Sequence, residues 1–255
     1  MDVIGYVLGG GVVVGVMTLL VLVEESIPDV DVLWAIPLAI IAAILGGLLF
    51  LHVRKLGEQR TKKFTDFAEQ MGMEFSVEDE WDIGESLSAF DLFWEADITN
   101  VLSGDSEQLG YGEEFEVTVL ECTYAIGEDA QVNQTVIYFR SPQLNLPKFQ
   151  LSPEEWHHKI GSKLGYQDID FESHPTAVEF SKKYLLRGKD EQKIRALFTD
   201  AVLTFFAGHP DKGCVEGSDD QLIWYQPGKI IEPEDISAFM KEGFEVFRLF
   251  TQEQN

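Results

Sequence analysis

The sequence predicts an α+β protein in which an N-terminal hairpin of two transmembrane helices precedes a mixed α+β domain. The first 53 of the 255 residues contain no Lys or Arg and only five acids, whereas the remaining chain alternates between helical and strand spacing of its apolar residues. These later helices and strands do not follow a strict strand–helix–strand order, which favours α+β over a parallel α/β sheet. We therefore assign residues 1–55 to the hairpin and residues 56–255 to an acidic cytoplasmic domain.

Two stretches without Asp, Glu, Lys or Arg form the predicted hairpin, at residues 3–23 and 32–53. At about 1.5 Å of rise per residue, each helix would span about 30 Å, the thickness of the hydrocarbon core of a bilayer. Neither stretch carries an ionisable residue at mid-membrane depth, which argues against a transporter or a channel.

The charges that flank the two spans predict their orientation. The connection at residues 24–31 is acidic and contains no base, while five bases follow the second span: Arg54, Lys55, Arg60, Lys62 and Lys63. Because Lys and Arg accumulate on the cytoplasmic side, we expect a multi-pass membrane protein with both termini in the cytoplasm. Small residues recur four apart in each span, which predicts close packing between the spans or self-association with a second copy: Gly5, Gly9, Gly11 and Gly15, then Ala35, Ala39, Ala43 and Gly47.

The first half of the domain shows one helix and several strands. Residues 54–72 have helical spacing, and Gly72 is a suitable left-handed stop. Alternation then predicts a strand with Met73, Phe75 and Val77 on one face, and a short helix follows Ser86. Two longer strands, 115–126 and 132–139, predict a hairpin.

The second half mixes shorter elements. The run Ser152-Pro153-Glu154-Glu155 resembles a helix start with an N-cap and a first-turn proline, and the predicted helix would bury Trp156, Ile160 and Leu164. The other predicted elements are an extended segment at 180–187, helices that begin at Asp190 and Thr199, a hairpin of 214–216 with 222–225 around the turn 217–220, and a final helix opened by Pro233.

Several of these segments, taken together with the membrane hairpin, resemble a known group of proteins. They are the run Phe180-Ser181-Lys182-Lys183-Tyr184-Leu185-Leu186-Arg187-Gly188, the segment Ala196-Leu197-Phe198-Thr199, the hairpin Val215-Glu216-Gly217 and the closing amphipathic helix. This order is similar to that of uncharacterised bacterial two-pass membrane proteins that carry a cytoplasmic domain of unknown function. The resemblance implies a bacterial origin and a single domain, and it implies no reaction and no functional residues.

The charge of the chain limits its partners. The formal net charge is −25, from 44 acids and 19 bases, so the surface repels phosphate and a nucleic-acid partner is excluded. Residues 64–139 contain 19 acids and no Lys or Arg. Such a stretch is typical of a solvated acidic surface. The alternatives are a surface that attracts a basic protein partner, one that binds divalent cations weakly, and one that keeps the domain away from anionic lipid headgroups.

Few residues suggest chemistry. Glu154, His157 and His158 give one Glu-x-x-His step, and they are the candidate catalytic residues. A di-iron site needs two such steps and further acids, so we predict no metal site and no cofactor. Cys122 lies among apolar strand residues and is expected to be buried, while Cys214 follows a turn and is expected to be the more exposed thiol.

The function predicted from the sequence is therefore a membrane-tethered interaction or regulatory module. The alternative is a membrane-anchored, hydrolase-like enzyme whose Asp, Glu and His residues are dispersed along the chain. A deep pocket with convergent acids or histidines of perturbed pKa would favour the enzyme, and a shallow surface would favour the interaction module.

Overall fold

A computed structural model describes residues 32–90, 93, 96–111, 114–126, 130–156, 166–209 and 213–251. The chain divides into two units, Met1–Lys62 and Lys63–Asn255. The predicted first span, residues 3–23, and the connection 24–31 lie outside the described residues, so the predicted hairpin is described only in its second half.

The described residues contain one helix that is long and apolar enough to cross a membrane. This helix, α1 (Val32–Met71), includes the predicted second span, which confirms a helix there, and contains Pro37. Its large aliphatic side chains between residues 38 and 56 are exposed, with Leu38 at 70% and Leu49 at 64%. A soluble helix buries such a face, so exposed apolar side chains over this length fit a lipid environment.

The predicted helical stop at Gly72 is confirmed. Gly72 has a φ of +70°, a conformation that glycine adopts without a Cβ penalty, and the Met73 N–H donates to the Ala68 carbonyl at 2.9 Å. Within the second unit, the last turns of α1 belong to the core, because Phe64 is 1% exposed and Ala68 is 3% exposed. The apolar stripe of these turns is therefore covered by protein.

The second unit is built on an antiparallel sheet of nine described strands, in the order β1-β2-β3-β4-β9-β8-β5-β7-β6. The strands are β1 (Glu74–Glu78), β2 (Asp97–Asp105), β3 (Glu116–Ile126), β4 (Ala130–Arg140), β5 (Leu146–Pro153), β6 (Gln167–Asp168), β7 (Tyr184–Gly188), β8 (Cys214–Asp219) and β9 (Gln221–Tyr225). The remaining helices are α2 (Ile83–Ser86), α3 (Pro175–Lys183), α4 (Glu191–Leu197), α5 (Asp200–Gly208) and α6 (Ile236–Thr251). The structure thus has the mixed α+β class that the sequence predicts.

The two faces of the sheet are covered differently. On one face, the helices α3 to α6 pack over a core rich in phenylalanine, in which Phe139 and Phe247 stack with ring centroids 4.9 Å apart. On the opposite face, a smaller cluster contains Leu87, Cys122 and Tyr225 and is covered by the segment between β1 and β2. A sheet that is covered on both faces explains why β3 and β4 carry apolar residues on both sides.

Several predicted boundaries are confirmed. The β3–β4 hairpin forms, α4 begins after Asp190, whose carboxylate accepts from the Lys193 N–H at 3.1 Å, and α5 begins after Thr199. The β8–β9 hairpin also forms, but its turn is Asp219-Asp220, and Gly217 lies within β8, paired with Leu222. Pro233 opens a 3₁₀ turn that leads into α6.

Two predictions are wrong. Ser152 does not cap a helix, because it lies in β5 opposite Leu185, and only a 3₁₀ turn, Glu154–Trp156, follows the strand within the described residues. The segment 180–187 is extended only from Tyr184, since α3 continues to Lys183. The strand predicted from Met73, Phe75 and Val77 does form, as β1, and in it Ser76 is buried while Val77 is 48% exposed.

Candidate interaction surface

Strand β1 lies at one end of the sheet and pairs, among the described residues, with β2 alone. Phe75 fixes the strand on the helical side, because its ring stacks on Phe64 with centroids 5.4 Å apart and planes 2° apart. The outer backbone N–H and C=O groups of such an edge strand are free to pair with another chain. Strand β1 is therefore an available edge within the described part of the domain.

The turn after β1 holds an exposed tryptophan. The Asp79 carboxylate accepts hydrogen bonds from the N–H groups of Ile83 and Gly84, both at 2.8 Å, and thereby caps the first turn of α2. Asp82 adopts a left-handed conformation with a φ of +51°. Trp81 lies between these two residues and is 36% exposed. The hydrogen bonds of Asp79 thus stabilise a turn that presents an indole ring at the surface.

Exposed apolar groups and acids coincide in this region. Among the described residues of the second unit, the exposed large hydrophobic side chains are Val77 and Trp81. Residues 74–85 contain no base and six acids: Glu74, Glu78, Asp79, Glu80, Asp82 and Glu85. We call this segment, residues 74–85, the acidic edge. Aromatic residues are enriched at the centres of protein interfaces, so an exposed Trp ringed by carboxylates indicates a binding surface.

A cleft of about 260 Å³ adjoins the acidic edge on the sheet face opposite the helices. Its floor is a row of cross-strand neighbours, Glu74, Ser103, Thr118 and Tyr138, which follow one another across β1 to β4. Tyr138 is 3% exposed, and its hydroxyl has no hydrogen-bond partner among the described residues. Burial raises the pKa of Tyr138 to about 12, so this group is a neutral hydroxyl at physiological pH.

A second cleft, of about 380 Å³, shares Asp105, Glu116 and Arg140 with the first. The two clefts together are lined by one guanidinium and six carboxylates: Glu74, Asp105, Glu107, Glu114, Glu116 and Asp220. The Arg140 Nε already donates to Asp220 at 3.0 Å, so its charge is largely compensated. The field over both clefts is therefore negative and attracts cations.

The same sheet face carries a buried cluster of thiols and phenols. Burial raises the pKa of Cys122 to about 12 and raises the pKa values of Cys214 and Tyr225 well above their usual ranges. The Tyr225 hydroxyl donates to a carboxylate oxygen of Glu216, itself 3% exposed, at 3.1 Å. Because the thiolate is the nucleophilic form, neither protonated cysteine is an activated nucleophile.

The two cysteines differ from the sequence prediction in one respect. Cys122 is buried as predicted, but Cys214 is fully buried as well, at 0% exposure, so the prediction of an exposed thiol is wrong. Cys214 begins β8, an interior strand, where it lies opposite Tyr225. Both cysteines are free thiols.

The candidate catalytic residues are not brought together into a site by the described residues. Glu154 is exposed in the 3₁₀ turn after β5, and His157 and His158 lie outside the described residues. Their catalytic role therefore stays a prediction. Within the described ranges, no group of three or more His, Cys, Asp or Glu side chains is placed to hold a metal ion.

The sequence indicates the negative charge of the acidic edge, but it does not indicate that Trp81 is exposed. Large aromatic residues are usually buried, and no sequence pattern marks a turn that presents its indole outward. The signal that could have indicated it is the surrounding composition, since acids flank Trp81 on both sides.

Comparison with known proteins gives a fold and no family. No protein-family model matches the chain, and no curated protein sequence matches it. Among solved structures, the chain is similar to the crystal structure of the mycobacterial trehalose monomycolate transport factor A, TtfA, with 13% sequence identity and a TM-score of 0.50. The similarity covers 75% of this chain and 92% of that one. At this identity the similarity shows a shared fold.

Proposed function

We propose that this protein is a membrane-tethered module whose acidic cytoplasmic domain binds a basic protein partner at the membrane. The observation that carries the proposal is the acidic edge, where an available edge strand, an exposed Trp81 and six acids without a base coincide. Opposite charge steers such partners together and selects against acidic competitors. The domain would thus provide a specific docking surface that stays close to the bilayer.

The membrane anchor is supported by α1, whose exposed aliphatic side chains extend over a length sufficient to span a bilayer. We propose that residues 3–23 supply a second span and that both termini face the cytoplasm. The five bases between Arg54 and Lys63 support this orientation, because such residues are retained on the cytoplasmic side.

An interaction role is also favoured by the shape of the surface. The two clefts are lined by carboxylates and are open to solvent, as is expected of a docking surface. The pKa values of buried thiols and phenols such as Cys122 and Tyr225 are raised, so burial keeps these groups protonated. The similar structure belongs to a protein described as a transport factor, which is consistent with a membrane-associated module. The described residues offer no support for the hydrolase alternative.

The topology is tested by tags on the full-length protein. A tag at Asn255 should be labelled only after the cells are permeabilised, because the domain faces the cytoplasm. A tag near Pro28 should be labelled in intact cells. Labelling of the C-terminal tag in intact cells would overturn the orientation.

The binding role is tested by capture of the tagged full-length protein from native membranes in a nonionic detergent. At about 0.05 M salt a partner with a surface rich in Lys and Arg should be retained, and about 0.5 M salt should release it, because salt screens exposed charges. An unrelated two-pass protein with the same tag is the control. Recovery of the same partners at both salt concentrations would contradict the proposal.

A further inference from the structure

We infer that the partner binds as an extended basic strand that adds to the outer edge of β1, with a lysine or arginine side chain reaching into the cleft beside Glu74. This inference rests on the proposed function and specifies where the partner binds and in which conformation. An extended segment that joins a sheet gains main-chain hydrogen bonds along the edge strand, and its alternate side chains meet the two faces of the sheet.

The edge itself favours a strand. Strand β1 is five residues long and pairs through Glu74, Phe75, Ser76 and Glu78 with β2, while the opposite side of β1 pairs with no described strand. Its conformation is already fixed by the Phe64–Phe75 stack and by the pairing to β2. A partner would therefore meet a pre-organised strand, which lowers the entropic cost of binding.

The side chains beside the edge specify the chemistry of the partner. Val77 and Trp81 supply apolar contact area next to the strand, at 48% and 36% exposure. Five of the six acids of the acidic edge are exposed, and Asp79 is half-buried because it caps α2. A strand in which lysine or arginine alternates with apolar residues satisfies both features.

The cleft adds a recognition element that a diffuse acidic surface lacks. Glu74 belongs both to β1 and to the cleft, where Asp105 and Glu116 supply two further carboxylates and Arg140, which is paired with Asp220, supplies the single base. The buried Tyr138 hydroxyl lines the same cleft without a hydrogen-bond partner among the described residues. A neutral hydroxyl beside three carboxylates suits an ammonium or guanidinium group, which donates hydrogen bonds and carries positive charge.

A second copy of this chain is a poor occupant of the edge. Pairing of two β1 strands would bring Glu74 and Glu78 of both copies together, and like charges opposite each other destabilise a sheet. The same carboxylates protect an unoccupied edge from aggregation. The basic strand is therefore the occupant that the charges favour.

The test uses the full-length protein in uncharged detergent and fluorescently labelled probe peptides of about nine residues. The first probe alternates Lys and Val. The second has the same sequence with N-methyl groups on every backbone nitrogen, which removes the hydrogen-bond donors of both edges, and the third alternates Glu and Val. We expect the Lys-Val probe to bind at least about ten-fold more tightly than either of the other two.

Substitutions in the protein test whether the Lys-Val probe binds at β1. The double substitution Glu74→Lys with Glu78→Lys should weaken binding of the Lys-Val probe by about ten-fold or more. The matched control, Glu172→Lys with Glu245→Lys, changes the net charge equally at two exposed acids away from β1 and should weaken binding by less than about three-fold. Trp81→Ala should weaken binding of the Lys-Val probe by about ten-fold, and Tyr138→Phe, which removes the hydroxyl that lines the cleft, should weaken it to a lesser degree. A thermal melt of each variant verifies that it is folded, and Glu74→Gln with Glu78→Gln replaces the charge reversal if that variant unfolds.

Two results would overturn the inference and leave the proposed function intact. Equal weakening by the two charge-reversed variants would mean that the partner senses only the overall charge. Equal binding of the N-methylated probe would exclude strand addition. If the Lys-Val probe does not bind the wild-type protein at low salt, the inference and the proposed function both fail.

Discussion

Substitution of Phe64 by alanine should destabilise the domain strongly, although Phe64 lies near the end of the long, mainly apolar helix α1. Its ring is 1% exposed and stacks on Phe75. An aromatic side chain removes roughly 150–200 Å² from water, which at about 25 cal/mol per Å² contributes about 4–5 kcal/mol. Phe→Ala substitutions in protein cores cost about 3–5 kcal/mol, in agreement with this figure.

This loss is large compared with the stability of a typical domain, about 5–15 kcal/mol. For a domain of this size, each 1 kcal/mol lowers Tm by about 2–4 °C, so we expect Phe64→Ala to lower Tm by about 6–20 °C. The assay is a thermal melt of the full-length protein in detergent, followed by the fluorescence of the buried Trp224.

Gln70→Ala is the matched control, because Gln70 lies on an exposed position of the same helix and should change stability by less than about 0.5 kcal/mol. The double variant Phe64→Ala with Phe75→Ala isolates the ring stack, which should appear as a coupling of about 0.5–1.5 kcal/mol. A Tm for Phe64→Ala within about 2 °C of wild type would refute the assignment of the last turns of α1 to the core of the domain.

Three further predictions concern glycine packing and the buried thiols. Gly188→Ala should destabilise the domain by about 1–3 kcal/mol, because a Cβ there would lie 2.8 Å from the Lys148 carbonyl oxygen and would overlap the buried Ile194 side chain. The control is Gly208→Ala, where a Cβ meets no atom within 4 Å, and it should leave Tm nearly unchanged in a thermal melt of the full-length protein. The free energy of unfolding should fall as the pH rises above 9.0, the usual pKa of a thiol, because Cys122 loses its proton there in the unfolded chain, whereas burial raises its pKa in the folded chain to about 12. Urea titrations should show a loss of about 1.4 kcal/mol per pH unit from this group. The Cys122→Ala variant should show a flatter dependence of stability on pH. Both thiols should resist a water-soluble thiol reagent in the native protein and react on unfolding, and rapid labelling of native Cys214 would contradict its burial.

Local signals in the sequence predicted the parts of the fold that local interactions determine. Gly72 ends α1 and Asp190 caps α4 through contacts within a few residues, so both boundaries could be predicted. Ser152 shows the opposite case: its neighbours have the pattern of a helix start, but pairing of β5 with β7 and β8 holds the segment extended. Such pairings join residues far apart in sequence, and tertiary context overrides local propensity there.

The candidate surface was predictable in its charge and unpredictable in its position. The composition of residues 64–139 indicated a negative surface, but an edge strand is defined by what does not pair with it. In β1, Ser76 is buried and Val77 is 48% exposed, and the adjacent strand β2 has an irregularity between Thr99 and Leu102. The alternation of apolar and polar residues in the sequence does not indicate which of these side chains is buried.

The order of the strands has a consequence for biosynthesis. Strand β4 is complete at Arg140, but its partner β9 is complete only at Tyr225, because the β8–β9 hairpin inserts between β4 and β5. At about 5–20 residues per second, a ribosome needs about 4–17 s to make the intervening chain. During this time the segment 132–139, which carries no charge, has an unpaired edge of the kind that aggregates. Until the second half of the sheet has been translated, this edge of β4 is therefore open to pairing with other chains.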